Sequence, residues 1–285
     1  MDIKVERIIE MALAEDSYNN DITSQALIDK NLILSGNFIS KNSGVLSGIS
    51  VVQQVFKKAS NKLEFNIVRK DGSFINKGDV VAYVKGPVRD ILKAVQTAIN
   101  FLERLSGVAS ITNKYVQELK GTKCGILDTR NNTPVYRSLE KKAVLHGGGI
   151  NSRSSLADYI VIETNHIEAL GSISHAVDLA LLKAQIYGNI TIEVEVETKE
   201  EFLEALDTEC NFITLVNMNL DLIKELVKLN NKNKKLAVKG NIPVTQARSY
   251  ALTGVDYLYI DTLTNSYKAI EFDFRFYKRL KKWKY

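Results

Sequence analysis

The sequence predicts an α/β chain in two parts, an N-terminal α/β domain with sandwich-like layering over residues 1–110 and a trimmed (β/α) barrel over 111–270. Three observations carry this reading. The first hundred residues hold short β-type runs bounded by turn signals. From about residue 111, short apolar runs alternate with helical segments, the rhythm of a parallel sheet with right-handed crossovers. The residues that end those runs are polar and often charged, which is where such barrels place their chemistry.

The elements follow in order. Ile3 to Leu13 carries Val5, Ile8, Ile9 and Ala12 at helical spacing, and Asp21-Ile-Thr-Ser24 reads as a helix cap or turn. β-type runs follow at Asn37 to Ile39, Leu63 to Arg69 and Val80 to Lys85, set off by Ser43-Gly44, Asp71-Gly72 and Lys77-Gly78-Asp79. The segment from Asp71 to Val81 resembles the turn pattern of small hammerhead-like β-barrels. Val88 to Leu119 is amphipathic and helical, and Ser106-Gly107 is expected to divide it into two helices.

In the second half the apolar runs are Gly125 to Leu127, Tyr159 to Ile162, Ile190 to Val196, Phe212 to Val216, Lys235 to Val238 and Tyr257 to Ile260. Helices are expected at Ile173 to Tyr187, Lys199 to Leu206, Asn219 to Leu229 and Pro243 to Leu252. The run ends then bring Asp128-Thr129-Arg130, Glu163-Thr164-Asn165, Glu195, Val216-Asn217, Lys239-Gly240-Asn241 and Ile260-Asp261 to one side of the barrel.

Composition bounds the function. The 285 residues are 45% hydrophobic, enough for a sizeable core, and no apolar run reaches the ~18 residues of a membrane span. The N-terminus shows no apolar signal segment, so a cytoplasmic protein without a membrane partner is expected. Cys124 and Cys210 lack metal-ligand spacing and read as buried free thiols. The net charge of +5 owes much to Arg275–Lys284; that tail reads as a solvated helix end in preference to a nucleic-acid contact. His166 is a candidate general acid–base but reads in preference as a hydrogen-bonded loop residue, and Gly147-Gly-Gly149 is a weak candidate phosphate cradle.

Several stretches carry a specific resemblance. The chain reads Glu15-Asp-Ser-Tyr-Asn-Asn-Asp-Ile-Thr-Ser24, Ile99-Asn-Phe-Leu-Glu-Arg-Leu-Ser-Gly-Val-Ala-Ser110, Asp128-Thr-Arg-Asn-Asn-Thr-Pro-Val-Tyr-Arg137 and Gly147-Gly-Gly-Ile-Asn-Ser-Arg153. Asn165-His-Ile167, Ile192-Glu-Val-Glu195 and Gly254-Val-Asp256 follow in order. These resemble, collinearly, the signatures of quinolinate phosphoribosyltransferases (nicotinate-nucleotide pyrophosphorylases). The resemblance implies an open (β/α) barrel of the type II phosphoribosyltransferase kind, with residues 270–285 packing back on the first domain, and a homodimer or higher homo-oligomer with shared sites. It also implies transfer of phosphoribosyl from phosphoribosyl pyrophosphate to a pyridine carboxylate, with Mg²⁺, giving nicotinate mononucleotide.

Carried over by position, the resemblance makes Arg130, Arg153 and Glu195 catalytic, with Glu195 also a weak metal ligand. Substrate-binding positions are Gln96, Thr129, Asn131, Arg137, Lys141, Ser152, Glu163, Val216, Lys239, Gly240, Asn241, Tyr259 and Asp261. Several depart from the family pattern. Gln96 stands for an arginine, Asn131 and Glu163 for lysines, Ser152 for a histidine, and Val216 for an aspartate on the metal side. Lys239-Gly240-Asn241 replaces a Ser-Gly-Gly phosphate loop, and Tyr259-Ile260-Asp261 replaces a second one. A lost charge-assisted contact costs about 1.5–3 kcal/mol, and a micromolar ligand supplies only about 8 kcal/mol. Weak binding of quinolinate is therefore expected. Three readings stay open: the family reaction with repositioned cations such as Lys239, His146 or Lys141; a paralogue with a less anionic acceptor; and a catalytically silent binding or regulatory homologue.

Overall fold

The computed structural model describes residues 3–187 and 190–277. They form two compact units. One takes the residues up to Asn113, Thr133–Gly148 and those from Tyr267 onward; the other takes Lys114–Asn132 and Gly149–Ser266. The chain thus passes between units more often than a single boundary near residue 110 allows.

The first unit is built on strands β1 (Ile33–Ser40), β2 (Gly44–Val45), β3 (Glu64–Ile67), β4 (Phe74–Ile75) and β5 (Val80–Pro87). β1 and β5 pair antiparallel, with a bulge between Phe38 and Ile39, and β3 pairs antiparallel with β5. The short β2–β4 ladder is what the Asp71–Val81 turn pattern builds. The helix Ile49–Ala59 buries Val52, Val55 and Phe56. Phe56 meets Phe38 edge-on with centroids 5.7 Å apart and stacks on Phe65 at 5.3 Å, a geometry that aromatic rings favour. Asp71 Oδ1 accepts from the Ile49 amide at 2.9 Å, so the Asp71-Gly72 turn also caps this helix. The Asp21 side chain accepts from the Ser24 amide at 3.0 Å and starts the helix Ile22–Leu27.

The expected break at Ser106-Gly107 does not occur: one helix runs from Val88 to Glu118. Gly107 is there for close packing. A Cβ on it would lie 2.6 Å from the Tyr267 ring and 2.8 Å from the Lys268 carbonyl oxygen. Ser106 Oγ, meanwhile, donates to the Ser47 carbonyl at 3.1 Å and accepts from the Ser47 amide at 3.0 Å, so neither residue loosens the helix.

The second unit holds β6 (Gly125–Leu127), β7 (Ile160–Ile162), β8 (Ile192–Val196), β9 (Phe212–Val216), β10 (Lys235–Lys239) and β11 (Tyr257–Tyr259). All are parallel, in the order β6-β11-β10-β9-β8-β7. β6 and β7 remain as edges, so this is an open (β/α) barrel. Val194, Ile213, Leu215, Ala237 and Leu258 are fully buried in it. The crossover helices are Ile173–Tyr187, Lys199–Leu206, Leu220–Asn230 and Val244–Ala251. Thr198 and Asn219 cap two of them by accepting from the amides three residues on, at 3.1 and 2.9 Å.

The chain ends with β12 (Phe272–Tyr277), which pairs antiparallel with β1 in the first unit. Arg275 therefore lies in a strand and pairs with Asp273 at 2.7 Å, correcting the helix-end reading there. The rest of the basic tail, residues 278–285, lies outside the described residues. No described helix is long and apolar enough to cross a membrane.

Candidate active site

Side chains on a strand alternate between faces, so Glu193 and Glu195, two residues apart on β8, point the same way. They open on a cavity of about 320 Å³ at the C-terminal strand ends, within the usual range for a small-molecule site. Thr129, Arg130 and Asn131 reach it from the end of β6, Ser152 and Arg153 from the segment before β7, and Glu163 from just after β7. Lys239 ends β10, and Tyr259 and Asp261 come from β11 and its exit. A second cavity of about 360 Å³ is lined by Val216, Gly240 and Asn241 and shares Lys239 and Asp261 with the first.

Three charged or polar pairs organise these walls. Arg153 Nη2 donates to Glu163 Oε1 at 2.7 Å. Lys239 Nζ donates to both Glu195 oxygens, at 2.7 and 3.0 Å. Asn131 Nδ2 donates to Asp261 Oδ1 at 2.9 Å. Glu163, Lys239, Asn131 and Asp261 are thus each bonded inside the cavity. Arg130 differs. Its Nε is buried without a hydrogen-bond partner, and its guanidinium has no ion-pair partner among the described residues.

Glu193 is the most buried of the acids that line the cavity. Its Oε1 accepts from Thr214 Oγ1 at 2.6 Å and its Oε2 from the Tyr259 hydroxyl at 3.1 Å. Burial pushes its carboxyl above the usual carboxylate range, the Thr214 hydrogen bond opposes the rise, and the Glu195 charge adds to it. Burial, followed by the Glu193 charge, likewise pushes the Tyr259 phenol up, so it stays a donor. Sequence reasoning passed over Glu193 and Tyr159. For Glu193 a signal existed, because strand periodicity places it beside Glu195. Tyr159 had none; its hydroxyl lies 3.4 Å from that of Tyr259.

Gln96, Arg137 and Lys141 belong to the first unit. Gln96 donates to Asn100 Oδ1 at 2.9 Å, and Lys141 is buried. His146, proposed as a repositioned cation, hydrogen-bonds Ser47 Oγ through Nδ1 at 2.8 Å within that unit. His166 Nδ1 accepts from the Glu163 amide at 3.1 Å, so the hydrogen-bonded reading describes it. The bareness of Gly147 is explained by close packing: a Cβ there would meet the Ala109 carbonyl oxygen at 2.4 Å. Both cysteines are free, and burial pushes the Cys124 thiol up to about 12.

The donor set does not suit a metal held by the protein. Glu195 gives both oxygens to an ammonium, and Val216 offers no ligand. No group of three or more His, Cys, Asp or Glu side chains among the described residues is arranged for a metal ion. Mg²⁺ is commonly held by one or two carboxylates together with substrate phosphates. Neither cavity offers an uncommitted pair of carboxylates.

Comparison with known proteins agrees with this architecture. Residues 21–106 match the family "Quinolinate phosphoribosyl transferase, N-terminal domain", and residues 108–275 match the corresponding C-terminal domain. The chain is 32% identical over 270 residues to the probable nicotinate-nucleotide pyrophosphorylase (carboxylating) of Bacillus subtilis strain 168, covering 94% of this chain and 92% of that one. The nicotinate-nucleotide pyrophosphorylase (carboxylating) of Mycobacterium leprae is 31% identical over 269 residues, covering 92% and 94%. The structure of NadC from Streptococcus pyogenes superposes with a TM-score of 0.91 at 32% identity, covering 98% and 99% of the two chains. On the strand order, the residues gathered at the strand ends and these matches, the chain belongs to the quinolinate phosphoribosyl transferase family.

Proposed function

We propose that the protein transfers a phosphoribosyl group from phosphoribosyl pyrophosphate to the ring nitrogen of a pyridine carboxylate. The nitrogen lone pair forms the new bond to the ribose C1, and the C1–oxygen bond breaks with its electron pair leaving on pyrophosphate. With quinolinate as acceptor, the adjacent carboxylate leaves as CO₂, the bonding pair stays on the ring carbon, and that carbon takes up a proton to give nicotinate mononucleotide. The relatives are named for this chemistry, and the barrel mouth has groups for it.

The observation that carries the reading is Arg130. A buried guanidinium nitrogen with no protein partner, in a cavity of small-molecule size, is a donor placed for a ligand carboxylate. Arg153 stands on the neighbouring wall, and the carboxylate of Glu193 favours the positive charge that develops on the ribose carbon. Mg²⁺ in this reading accompanies the pyrophosphate of the donor. A homodimer and a cytoplasmic location go with the same reading and are checked by gel filtration and cell fractionation.

The test is direct. Purified full-length protein is incubated with phosphoribosyl pyrophosphate, Mg²⁺ and quinolinate or nicotinate, and pyrophosphate and nicotinate mononucleotide are followed. Product that depends on Arg130 is expected. No pyrophosphate release from any acceptor at high enzyme concentration would leave a binding or regulatory role.

A further inference from the structure

Three cations and four carboxylates line the first cavity. A site for a polyanion needs cations that are free to meet it. Two of these cations are already committed. Arg153, whose side chain is 12% exposed, faces Glu163 at 2.7 Å, and Lys239 is held by both oxygens of Glu195. Of the remaining acids, Asp261 holds Asn131, while Glu193 is the buried carboxyl bonded to Thr214 and Tyr259. That leaves Arg130 as the one cavity cation without a carboxylate partner among the described residues.

One uncommitted cation matches one ligand carboxylate. A second ligand carboxylate reaching for Arg153 has to displace Glu163, whose side chain is 37% exposed and whose charge then faces it. Like charges in a partly buried site repel, and the displaced anion loses its partner. A hydrogen-bond donor or cationic group at the same place meets an acceptor instead.

We propose that Glu163 is the specificity-determining residue of this site, selecting a nitrogen-heterocycle monocarboxylate, its one carboxylate on Arg130 and a hydrogen-donating substituent toward Glu163, over a pyridine dicarboxylate. The proposal rests on the transferase reading for its chemistry. Transfer to a monocarboxylate balances without decarboxylation: the ring nitrogen bonds C1, pyrophosphate leaves with the electron pair, and no CO₂ forms.

Binding separates the two ideas, because it needs no turnover. Isothermal titration of the full chain uses quinolinate, nicotinate and 2-aminonicotinate without donor, on the wild type, E163Q and E163K. The wild type is expected to bind 2-aminonicotinate most tightly and quinolinate least. E163K is expected to invert the order and to gain about 10- to 150-fold for quinolinate, the range of one charge-assisted contact. E163Q, which keeps the side-chain shape, should fall between them. Wild-type protein that binds quinolinate as tightly as the monocarboxylates, variants that leave the order unchanged, or no acceptor binding at all, overturns the proposal. Correct binding order with no pyrophosphate release in the presence of donor counts against the transferase reading alone.

Discussion

Lys239 Nζ lies 2.7 and 3.0 Å from the two carboxylate oxygens of Glu195, across the intervening strand β9 at the mouth of the barrel. An ammonium on a flexible stem sits on the carboxylate that a substrate-borne cation would otherwise approach. Replacing Lys239 by serine removes that ammonium and leaves Glu195 as an anion 13% exposed. Donor binding by K239S should therefore rise with added Mg²⁺ more steeply than that of the wild type. Titration of phosphoribosyl pyrophosphate with and without Mg²⁺ measures this, and equal Mg²⁺ responses would sink the argument.

Arg130 gives the opposite case, a group kept at some cost to the fold. Its buried Nε lacks a partner, and an unmet buried donor carries a desolvation penalty of about 1–3 kcal/mol. Arg130→Ala should lower kcat/KM, and acceptor affinity, by about 10- to 150-fold, the range of one charge-assisted contact. The melting temperature of the free protein should hold or rise. A variant that melts well below the wild type would show that Arg130 is structural.

Glu193 links the site to pH. Burial is the largest cause that raises its carboxyl above the ordinary glutamate value of 4.5. Between that value and the higher folded one, the folded state keeps a proton that the unfolded chain has released. Stability therefore falls as pH rises through this window and stays reduced above it. Glu193→Gln removes the titration, so its urea midpoint should vary less over the window and exceed that of the wild type at neutral pH. Parallel midpoint curves for the two proteins would contradict the assignment. Thr214 and Tyr259, which donate to the carboxyl, remain able to donate to the amide oxygen.

The fold was legible because its signals are local and repeated. Gly125–Leu127 and Phe212–Val216 are apolar runs whose boundaries the strands follow, and the helices Ile173–Tyr187 and Lys199–Leu206 begin and end where periodicity places them. The barrel-mouth side of the site followed from the run ends. Partners were not legible. Nothing local ties Glu163 to Arg153 or Asn131 to Asp261, the latter 130 positions apart, so Glu163 and Asn131 read as losses of cations when each is half of a pair. Glycines misled for the same reason: a bare Cα looks alike in a helix break, a phosphate cradle and a tight contact. Only tertiary neighbours separate these.

Gly107 makes that last point testable. In an isolated helix, alanine is favoured over glycine by about 1 kcal/mol, so a glycine that merely weakened Val88–Glu118 would be improved by Gly107→Ala. Here the added methyl meets the Tyr267 ring at 2.6 Å and the Lys268 carbonyl oxygen at 2.8 Å. A ring can turn aside, but a backbone oxygen yields only if the segment Tyr267–Ala269 shifts, and Ala269 Cα is itself 3.1 Å from the new atom. Overpacking of this kind costs about 1–3 kcal/mol, which outweighs the gain in helix propensity. Gly107→Ala should lower the urea midpoint while leaving the far-ultraviolet helix signal intact. A midpoint above that of the wild type would show that the contact relaxes freely and that the glycine is there for some other reason.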